Sequence, residues 1–401
     1  MQEVSFIKQL GGVSIIAGTA IGAGMLGIPF AVAATGFYFA VFLLLIVWIV
    51  MYATAMLLVE ISSSQPIGVD MDSMAYNLLG KWGKAFNLVF YLLLLYSLLT
   101  AYIFMGGELF SDYILKPISD GLNDWSKVVF CVMFGYCIFM GTKATFYVNK
   151  FFLFFKILAF VMFVLFIIPD VKSSFLKESH FGFSYGWFAI PILVTSFGFH
   201  IVIPAIRNYY KNDKVFKKVV SIGAVTPFIV YLIWVFVTLG TIPLAGSNGF
   251  VELVENGSSL AQGYMAQDKM SVILFIKFFE NFAIVTSFLG VALALFSFNR
   301  DLYNIEAKTT AKRLLILCIT LVPPLFFAIY FVNSFISALG YASMFVAFLL
   351  IIQPAMMAWS LRKANKTNNL VSKLYLLVIL LSGAGIITLQ LLVSFGKLAH
   401  I

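Results

Sequence analysis

Glycines and a proline interrupt an apolar segment that is otherwise long enough to cross a membrane as one helix. Within residues 10–35 they are Gly18, Gly22, Gly24, Gly27 and Pro29. A glycine costs about 1 kcal/mol in a helix interior and a proline about 3 kcal/mol, so the middle of this segment is predicted to be unwound. Unwound backbone at membrane depth occurs only where protein or a water-filled cavity covers it. Its peptide N–H and C=O groups are therefore available to bind a polar solute.

A second apolar segment contains a comparable interruption. Residues 195–204 read TSFGFHIVIP, in which Gly198 lies near the middle of the segment and Pro204 follows. A half-helix that begins at mid-membrane directs unpaired N–H groups and about half a positive charge toward the centre. A half-helix that ends there offers carbonyl oxygens instead. The two breaks together match a zwitterion, so the predicted solute is an L-amino acid.

The polarity of the breaks assigns the atoms of the predicted substrate site. We expect backbone N–H groups of the first break to bind the carboxylate, and carbonyl oxygens of both breaks to bind the ammonium. The N–H groups are those around Gly22, Ala23, Gly24 and Met25. The carbonyls are those near Ala20 or Ile21 and near Ser196 or Phe197. Gly198 completes the predicted backbone of the site.

Side chains near the breaks are candidates for the pocket wall and for proton exchange. The candidate wall residues are Phe197, Phe199, Tyr102 and Phe288. Imidazole changes charge near neutral pH, and His200 is the only histidine inside a predicted span. His200 is therefore a candidate to contact the substrate or to carry a proton. A structural hydrogen bond to carbonyls freed by the break explains this residue equally well.

Eleven apolar segments have the length and composition of membrane-spanning helices. They are residues 10–35, 38–61, 85–110, 127–142, 150–169, 186–206, 218–242, 271–298, 313–331, 334–358 and 371–395. The interrupted spans one and six cross in opposite directions, which is the pattern of an inverted repeat. We therefore predict an all-α polytopic membrane protein with a single transmembrane domain. Residues 1–170 are expected to form the first repeat, residues 186–360 the second, and residues 371–395 an extra helix.

Composition and charge also indicate a membrane protein. Of the 401 residues, 62% are hydrophobic and 11% are charged, which excludes an ordinary soluble domain. With a cytoplasmic N-terminus, the inner loops hold 18 of the 26 Lys and Arg residues and the outer loops hold 6. This asymmetry predicts that the N-terminus is cytoplasmic and that the C-terminus is outside. The basic residues that give the net charge of +9 lie mainly in the loops between the spans, so the predicted partner is the lipid bilayer and not a nucleic acid.

The residues outside the breaks give few further functional signals. The first apolar segment is too long for a cleavable signal peptide, so we expect an uncleaved first span. Residues 71–81 are mildly amphipathic and predict a helix on the membrane surface. Residues 249–267 are expected to form either a helix-turn-helix or a plain connecting loop outside the membrane. The three cysteines lie in apolar segments, so we expect no disulfide, metal site or cofactor.

Three stretches resemble a known family. GTAIGAGMLGIP at residues 18–29 and TSFGFHIVIPAI at residues 195–206 look like signatures of the hydroxy and aromatic amino acid permease family. FFENFAIVTSFLGVALALF at residues 278–296 is similar to that family too. The resemblance is strongest to bacterial tyrosine- and tryptophan-specific permeases of the inner membrane. It implies uptake of aromatic amino acids by proton symport, and a five-plus-five, LeuT-like inverted-repeat fold.

The resemblance also implies two candidate ion-coupling sites. In sodium-independent relatives of this fold a span-five lysine replaces a sodium ion, which implies that Lys156 carries the coupling proton. The alternative is that Lys156 extends along the helix to the cytoplasmic surface, about 10 Å away at 1.5 Å per residue. Thr286 and Ser287 match hydroxyls that bind sodium in sodium-coupled relatives, so sodium coupling stays open. Such hydroxyls also commonly bond carbonyls of the preceding helical turn.

Other functions compete with proton-coupled uptake of tyrosine or tryptophan. A symporter for serine, threonine or another neutral amino acid fits the same backbone site. A membrane-embedded enzyme requires a cluster of catalytic or metal-binding side chains within the spans, and the intramembrane polar residues are too scattered for one. A non-transporting sensor requires a soluble output domain, which the hydropathy pattern does not indicate. We therefore predict a transporter and no enzymatic activity, with an oligomeric state that the sequence does not specify.

Overall fold

The chain forms helices wherever the computed structural model describes regular secondary structure, which confirms the predicted all-α class. The structure describes residues 6–111, 123–178, 183–256, 258–265, 269–303, 305, 309–331 and 335–395. The α-helices are α1 (Phe6–Ala20), α2 (Gly27–Val32), α3 (Phe37–Ser64), α4 (Met71–Phe110), α5 (Asn123–Met140), α6 (Thr142–Ile167), α7 (Ser173–Lys177), α8 (Phe183–Ser196), α9 (Ile203–Tyr209), α10 (Asp213–Leu239), α11 (Phe250–Glu255), α12 (Leu260–Gly263), α13 (Met270–Leu302), α14 (Thr310–Tyr330), α15 (Phe335–Val346), α16 (Gln353–Ala364) and α17 (Leu370–Ser394). A π-helical turn, Ala347–Ile352, joins α15 to α16.

The described helices include nine segments that are long and apolar enough to cross a membrane. A tenth is counted when the bent pair Lys8–Ala20 and Ala23–Thr35 is taken as one span. The predicted span 127–142 corresponds to α5, whose apolar part, Trp125–Met140, is shorter than the others. The polytopic membrane class is confirmed. By length and composition, however, nine or ten of the described segments could span a membrane, and the predicted eleven spans are not confirmed.

Helix α4 combines the predicted surface segment 71–81 with the predicted span 85–110. The two parts meet at Gly80, where φ is 73°. Glycine adopts this conformation without the steric conflict that a Cβ atom would cause. The amphipathic segment is therefore helical and changes direction at Gly80 before it continues as the span.

The chain separates into two compact units, each built from residues of both sequence halves. The first unit contains Met1–Tyr91, Leu176–Phe236 and Ala342–Ile401. Within it, α3 packs against α8, α9 and α16, and α2 packs against α8. Both predicted breaks lie in this unit.

The second unit contains Leu92–Phe175 and Val237–Tyr341. Helix α6 packs along α13, and α5 packs against α14 and α13. Apolar side chains, mainly Leu, Ile, Phe and Val, dominate these helices, and buried Phe rings fill part of the space between them. Phe288, for example, lies 5.1 Å from Phe130 between ring centroids.

The connection at residues 249–267 contains two short helices, α11 and α12, in the second unit. This arrangement confirms the helix-turn-helix interpretation for the part of the connection that the structure describes; residues 257, 266 and 267 lie outside it. The buried carboxylate of Glu280 on α13 accepts a 2.9 Å hydrogen bond from the N–H of Leu260, the first residue of α12. Glu280 therefore fixes the start of α12 to the span beneath it.

Candidate functional site

The first break lies where the glycines predicted it. Helix α1 ends at Ala20, Gly22 has an extended conformation (φ −129°, ψ −156°), and a 3₁₀ turn over Ala23–Leu26 leads into α2. The segments on the two sides are bent by 51°. Ala23 and Met25 are fully buried, so protein covers this unwound backbone.

The second break also lies where the sequence predicted it. Helix α8 ends at Ser196, the backbone is not helical over 197–199, and a 3₁₀ turn over His200–Val202 leads into α9. Phe197 and Phe199 are fully buried within the first unit. The proline of α9, Pro204, occupies its first turn, where a missing N–H costs no helical hydrogen bond.

The two breaks meet in space. The Ser196 hydroxyl lies 2.9 Å from the carbonyl oxygen of Gly24 and 2.9 Å from that of Ile192. A Cβ atom at Gly24 would lie 3.4 Å from the Cα of Ser196, which is ordinary van der Waals contact, so the two segments pack closely here. The predicted N–H group of Gly24 and the predicted carbonyl of Ser196 therefore belong to one compact region.

Two side chains of α10 hold the breaks, and the sequence analysis missed both. The Tyr231 hydroxyl lies 2.6 Å from the carbonyl oxygen of Ala20 and 2.7 Å from that of Ser196. The Trp234 indole N–H donates a 2.9 Å hydrogen bond to the carbonyl oxygen of Met25. Both side chains are fully buried. A signal was present, because buried Tyr and Trp require polar partners and these two lie three residues apart on one helix face.

The carbonyls predicted for the substrate ammonium are thus already close to a donor. A tyrosine hydroxyl has one proton, so Tyr231 donates to only one of the two carbonyls at a time. Each carbonyl oxygen also has two lone pairs. The Ala20 carbonyl also accepts a 2.8 Å hydrogen bond from the N–H of Gly22, so it has capacity for a ligand only while Tyr231 donates to Ser196. The Ser196 carbonyl retains a lone pair in either case, and Tyr231 fixes the positions of both carbonyls.

His200 is fully buried and attached to α3. Its Nε2 atom lies 2.9 Å from the Thr54 hydroxyl oxygen and 3.0 Å from the carbonyl oxygen of Met51. A carbonyl oxygen only accepts, so the bond to Met51 requires the proton on Nε2, which makes Nδ1 the acceptor of the neutral ring. Among the described residues Nδ1 has no hydrogen-bond partner. The structural interpretation therefore accounts for Nε2 and does not account for Nδ1.

Lys156 in the second unit is buried. It is 3% exposed, whereas Phe154 and Ile157 beside it on α6 are 64% and 57% exposed. Its ammonium lies 3.4 Å from the Thr286 hydroxyl oxygen on α13. In this structure Lys156 therefore points into the protein and does not extend to the membrane surface, which was the alternative.

The hydroxyls proposed for sodium coupling have different environments. Thr286 is buried, and its hydroxyl lies 2.8 Å from the carbonyl oxygen of Phe282 on the preceding turn. Ser287 is half-buried. The bond predicted as the structural alternative is present at Thr286, and the same oxygen faces Lys156.

Tyr102 and Phe288, the other predicted wall residues, belong to the second unit. Both are buried, and Phe288 packs edge-on against Phe130. Phe197 lies 4.9 Å from Tyr231 between ring centroids, and Phe199 stacks on His200 at 4.8 Å, in the first unit. The aromatic candidates of the first unit therefore pack directly on the side chains that surround the breaks.

Comparison with known proteins gives one consistent family. Residues 7–390 match the tryptophan/tyrosine permease family. The chain is 30% identical to tyrosine-specific transport system 1 of Haemophilus influenzae, over 98% of this chain and 99% of that protein. It is also 30% identical to the low affinity tryptophan permease of Escherichia coli, over 88% of this chain and 87% of that one.

A relative with a different name has similar coverage. Glutamine transporter 2 of Aliivibrio fischeri is 30% identical, over 89% of this chain and 90% of its own length. The family and these relatives are transporters, which confirms the prediction that the chain is not an enzyme. The match over nearly the whole sequence shows that the chain is a member of the tryptophan/tyrosine permease family.

Proposed function

We propose that the protein imports tyrosine or tryptophan across the bacterial inner membrane by proton symport. The observation that carries this proposal is the hydrogen-bonded contact between the two breaks in a chain that matches the family over residues 7–390. The relatives named for tyrosine and tryptophan support the aromatic substrate.

The substrate is expected to bind through its backbone groups first. The carboxylate is proposed to lie at the N–H groups of Gly22 to Met25, where the 3₁₀ turn begins. The N–H of Gly22 already donates to the Ala20 carbonyl and that of Met25 to the Gly22 carbonyl, so the N–H of Gly24 is the main proposed donor. The ammonium donates to the carbonyls of Ala20 and Ser196, which Tyr231 holds in position. The substrate ring packs on aromatic side chains and meets Nδ1 of His200. The proposed ring contacts in the first unit are Phe197 and Phe199, whereas Tyr102 and Phe288, the other candidates from the sequence, belong to the second unit.

Lys156 is the proposed proton carrier. A buried lysine is stable when neutral and requires a partner when charged. The Lys156 ammonium lies 3.4 Å from the Thr286 hydroxyl on α13. Loading and release of a proton at Lys156 therefore changes the interaction between α6 and α13. Sodium bound at Thr286 and Ser287 is the alternative.

The proposed architecture has eleven spans with α5 among them, arranged as two inverted repeats and an extra C-terminal helix. The N-terminus is proposed to be cytoplasmic and the C-terminus to be outside, since the basic residues follow that orientation. Transport requires alternating access to the site from the two sides. Both broken segments and α3 belong to the first unit, which makes that unit the candidate moving group.

Uptake into proteoliposomes tests the proposal. With an imposed inward proton gradient and no sodium, radiolabelled tyrosine or tryptophan should accumulate, and a protonophore should abolish the accumulation. Excess unlabelled tyrosine and tryptophan should compete, whereas serine and threonine should not. Accumulation that requires sodium and resists the protonophore would contradict proton coupling.

A second candidate substrate class follows from the relative named for glutamine. The carboxylate and ammonium contacts above do not depend on the substrate side chain. Glutamine is therefore a necessary competitor in the same assay. If glutamine displaces label at lower concentration than tyrosine and tryptophan do, the protein is a neutral amino acid transporter with the same binding core.

A further inference from the structure

A cleft of about 390 Å³ opens in the first unit and shares no residue with the two breaks. Residues from the end of α3 and the beginning of α10 line it, together with residues of α16 and α17. Its size falls within the range of about 300–1,000 Å³ that is usual for small-molecule sites. The cleft therefore has room for a ligand that the transport mechanism does not use.

The two acidic groups of the cleft are already paired. The Glu60 carboxylate accepts hydrogen bonds of 2.9 Å and 2.5 Å from the Arg362 guanidinium. The Asp213 carboxylate lies 2.8 Å from the guanidinium of Arg207. Both negative charges are thus balanced by a neighbouring arginine, and they do not repel an incoming anion as free carboxylates would.

Two donors of the cleft remain available. The ammonium of Lys217 and the hydroxyl of Ser63 line the cleft. Neither side chain has a hydrogen bond or an ion pair with another described residue. Lys217 is exposed and Ser63 is half-buried, so a ligand can reach both. An ammonium and a hydroxyl that line the same cleft are suitable donors for a phosphate group.

The other walls of the cleft are apolar. They are the side chains of Met56, Leu57 and Val59 and the ring of Tyr375. The helices that flank the cleft have exposed apolar faces, with Val371 and Val378 of α17 exposed by 74% and 65%, and Ile229 of α10 by 50%. In a membrane these faces contact acyl chains. The ligand that fits is therefore amphipathic, with an anionic group at Lys217 and apolar chains beside α10 and α17.

We propose that this cleft binds the headgroup of an anionic phospholipid in the leaflet next to the basic loops. The charge of the neighbouring segments favours an anionic lipid over a zwitterionic one, because further lysines lie close in sequence to the residues that line the cleft. They are Lys211, Lys214 and Lys218 near the start of α10, and Lys363, Lys366 and Lys373 around the connection from α16 to α17. Basic pockets between membrane helices are known to bind such headgroups.

Native mass spectrometry of the purified full-length protein in detergent tests the assignment. Phosphatidylglycerol is titrated against wild type, Lys217→Gln and Lys218→Gln. Lys218 is the matched control, because it is an exposed lysine next in sequence that does not line the cleft. Loss of one lysine contact should weaken phosphatidylglycerol binding about fivefold in Lys217→Gln. Lys218→Gln, which loses only a neighbouring charge outside the cleft, should weaken binding distinctly less.

Three results would overturn the proposal. Equal losses in the two variants mean that the lipid associates with a diffuse basic surface. Retention of phosphatidylethanolamine as strong as that of phosphatidylglycerol means that the headgroup charge is not recognised. Displacement of the lipid by an equal concentration of glycerol phosphate means that the cleft serves a soluble phosphate compound.

Discussion

The Ser196 hydroxyl lies 2.9 Å from the Gly24 carbonyl oxygen and shares its one proton between that oxygen and the Ile192 carbonyl, and the contact to Gly24 joins two interrupted helices. Each interruption removes backbone hydrogen bonds that a continuous helix would make. The hydroxyl of the residue that ends α8 lies against a carbonyl of the 3₁₀ turn that follows the other break, and that carbonyl also accepts the N–H of Gly27. The breaks therefore stabilise each other, and their remaining polar groups stay in a fixed arrangement.

Replacement of Ser196 by alanine tests this arrangement. Ser196→Ala leaves the buried Gly24 carbonyl without its hydroxyl partner, and a net hydrogen bond contributes about 1 kcal/mol, or about fivefold in an equilibrium. We expect the KM for tyrosine uptake to rise by about this factor. Ser382→Ala is the control, since the Ser382 hydroxyl bonds a carbonyl of its own helix, that of Ile379. Equal KM values for the two variants would show that the contact does not shape the site.

Tyr231→Phe tests the role of α10 in positioning the carbonyls. The variant keeps the ring that packs on Phe197 and removes only the hydroxyl between the Ala20 and Ser196 carbonyls. We expect substrate affinity to fall, because the carbonyls proposed for the ammonium lose the group that holds them. The KM should rise clearly, whereas the unfolding temperature, measured in parallel, should change little.

Tyr52→Phe is the matched control for this variant. The Tyr52 hydroxyl lies 3.1 Å from the Ser221 hydroxyl, in the same unit but away from the breaks. The control should cost similar stability and leave KM unchanged. If Tyr231→Phe and Tyr52→Phe have the same KM, Tyr231 is a structural residue only.

The positions of both breaks could be predicted because glycine and proline act locally. The energetic penalty at Gly22, Gly24 and Pro29 does not depend on which helices surround them. The same holds for Gly198 in the second break. Burial of Lys156 required the structure, because a lysine near a helix end can point to the surface or to the interior, and the choice depends on its tertiary neighbours.

The helix that holds the breaks could not be predicted in the same way. Tyr231 and Trp234 occur in a long apolar helix, where aromatic side chains usually pack against neighbours or face lipid. Their carbonyl partners on α1 and in the first break are about two hundred residues away in the sequence. A single sequence does not indicate contacts between residues so far apart, so the Tyr231 hydroxyl and the Trp234 indole N–H could not be assigned to these carbonyls.

Lys156→Met tests the proposed coupling. The variant keeps an unbranched side chain that is only one atom shorter, and it removes the group proposed to carry the proton. We expect accumulation driven by an imposed pH gradient to be lost, while exchange of labelled for unlabelled tyrosine continues, since exchange needs no net proton movement. Lys150→Met is the control, because Lys150 is an exposed lysine of the same helix. Wild-type accumulation by Lys156→Met would exclude Lys156 as the proton carrier.

The two ring nitrogens of His200 allow a ligand contact, at Nδ1, to be tested separately from a structural contact, at Nε2. The amide of a glutamine reaches about as far as Nε2, so His200→Gln can keep a hydrogen bond to Thr54 or Met51 while it lacks Nδ1. We expect this variant to unfold near the wild-type temperature and to bind tyrosine more weakly. His200→Asn places its amide near Nδ1 and loses the attachment to α3, which leaves buried partners unsatisfied at a cost of about 1–3 kcal/mol. Its unfolding temperature should therefore be lower than that of His200→Gln. If His200→Gln keeps the wild-type KM, the ring serves only to attach the second break to α3, and the substrate does not meet Nδ1.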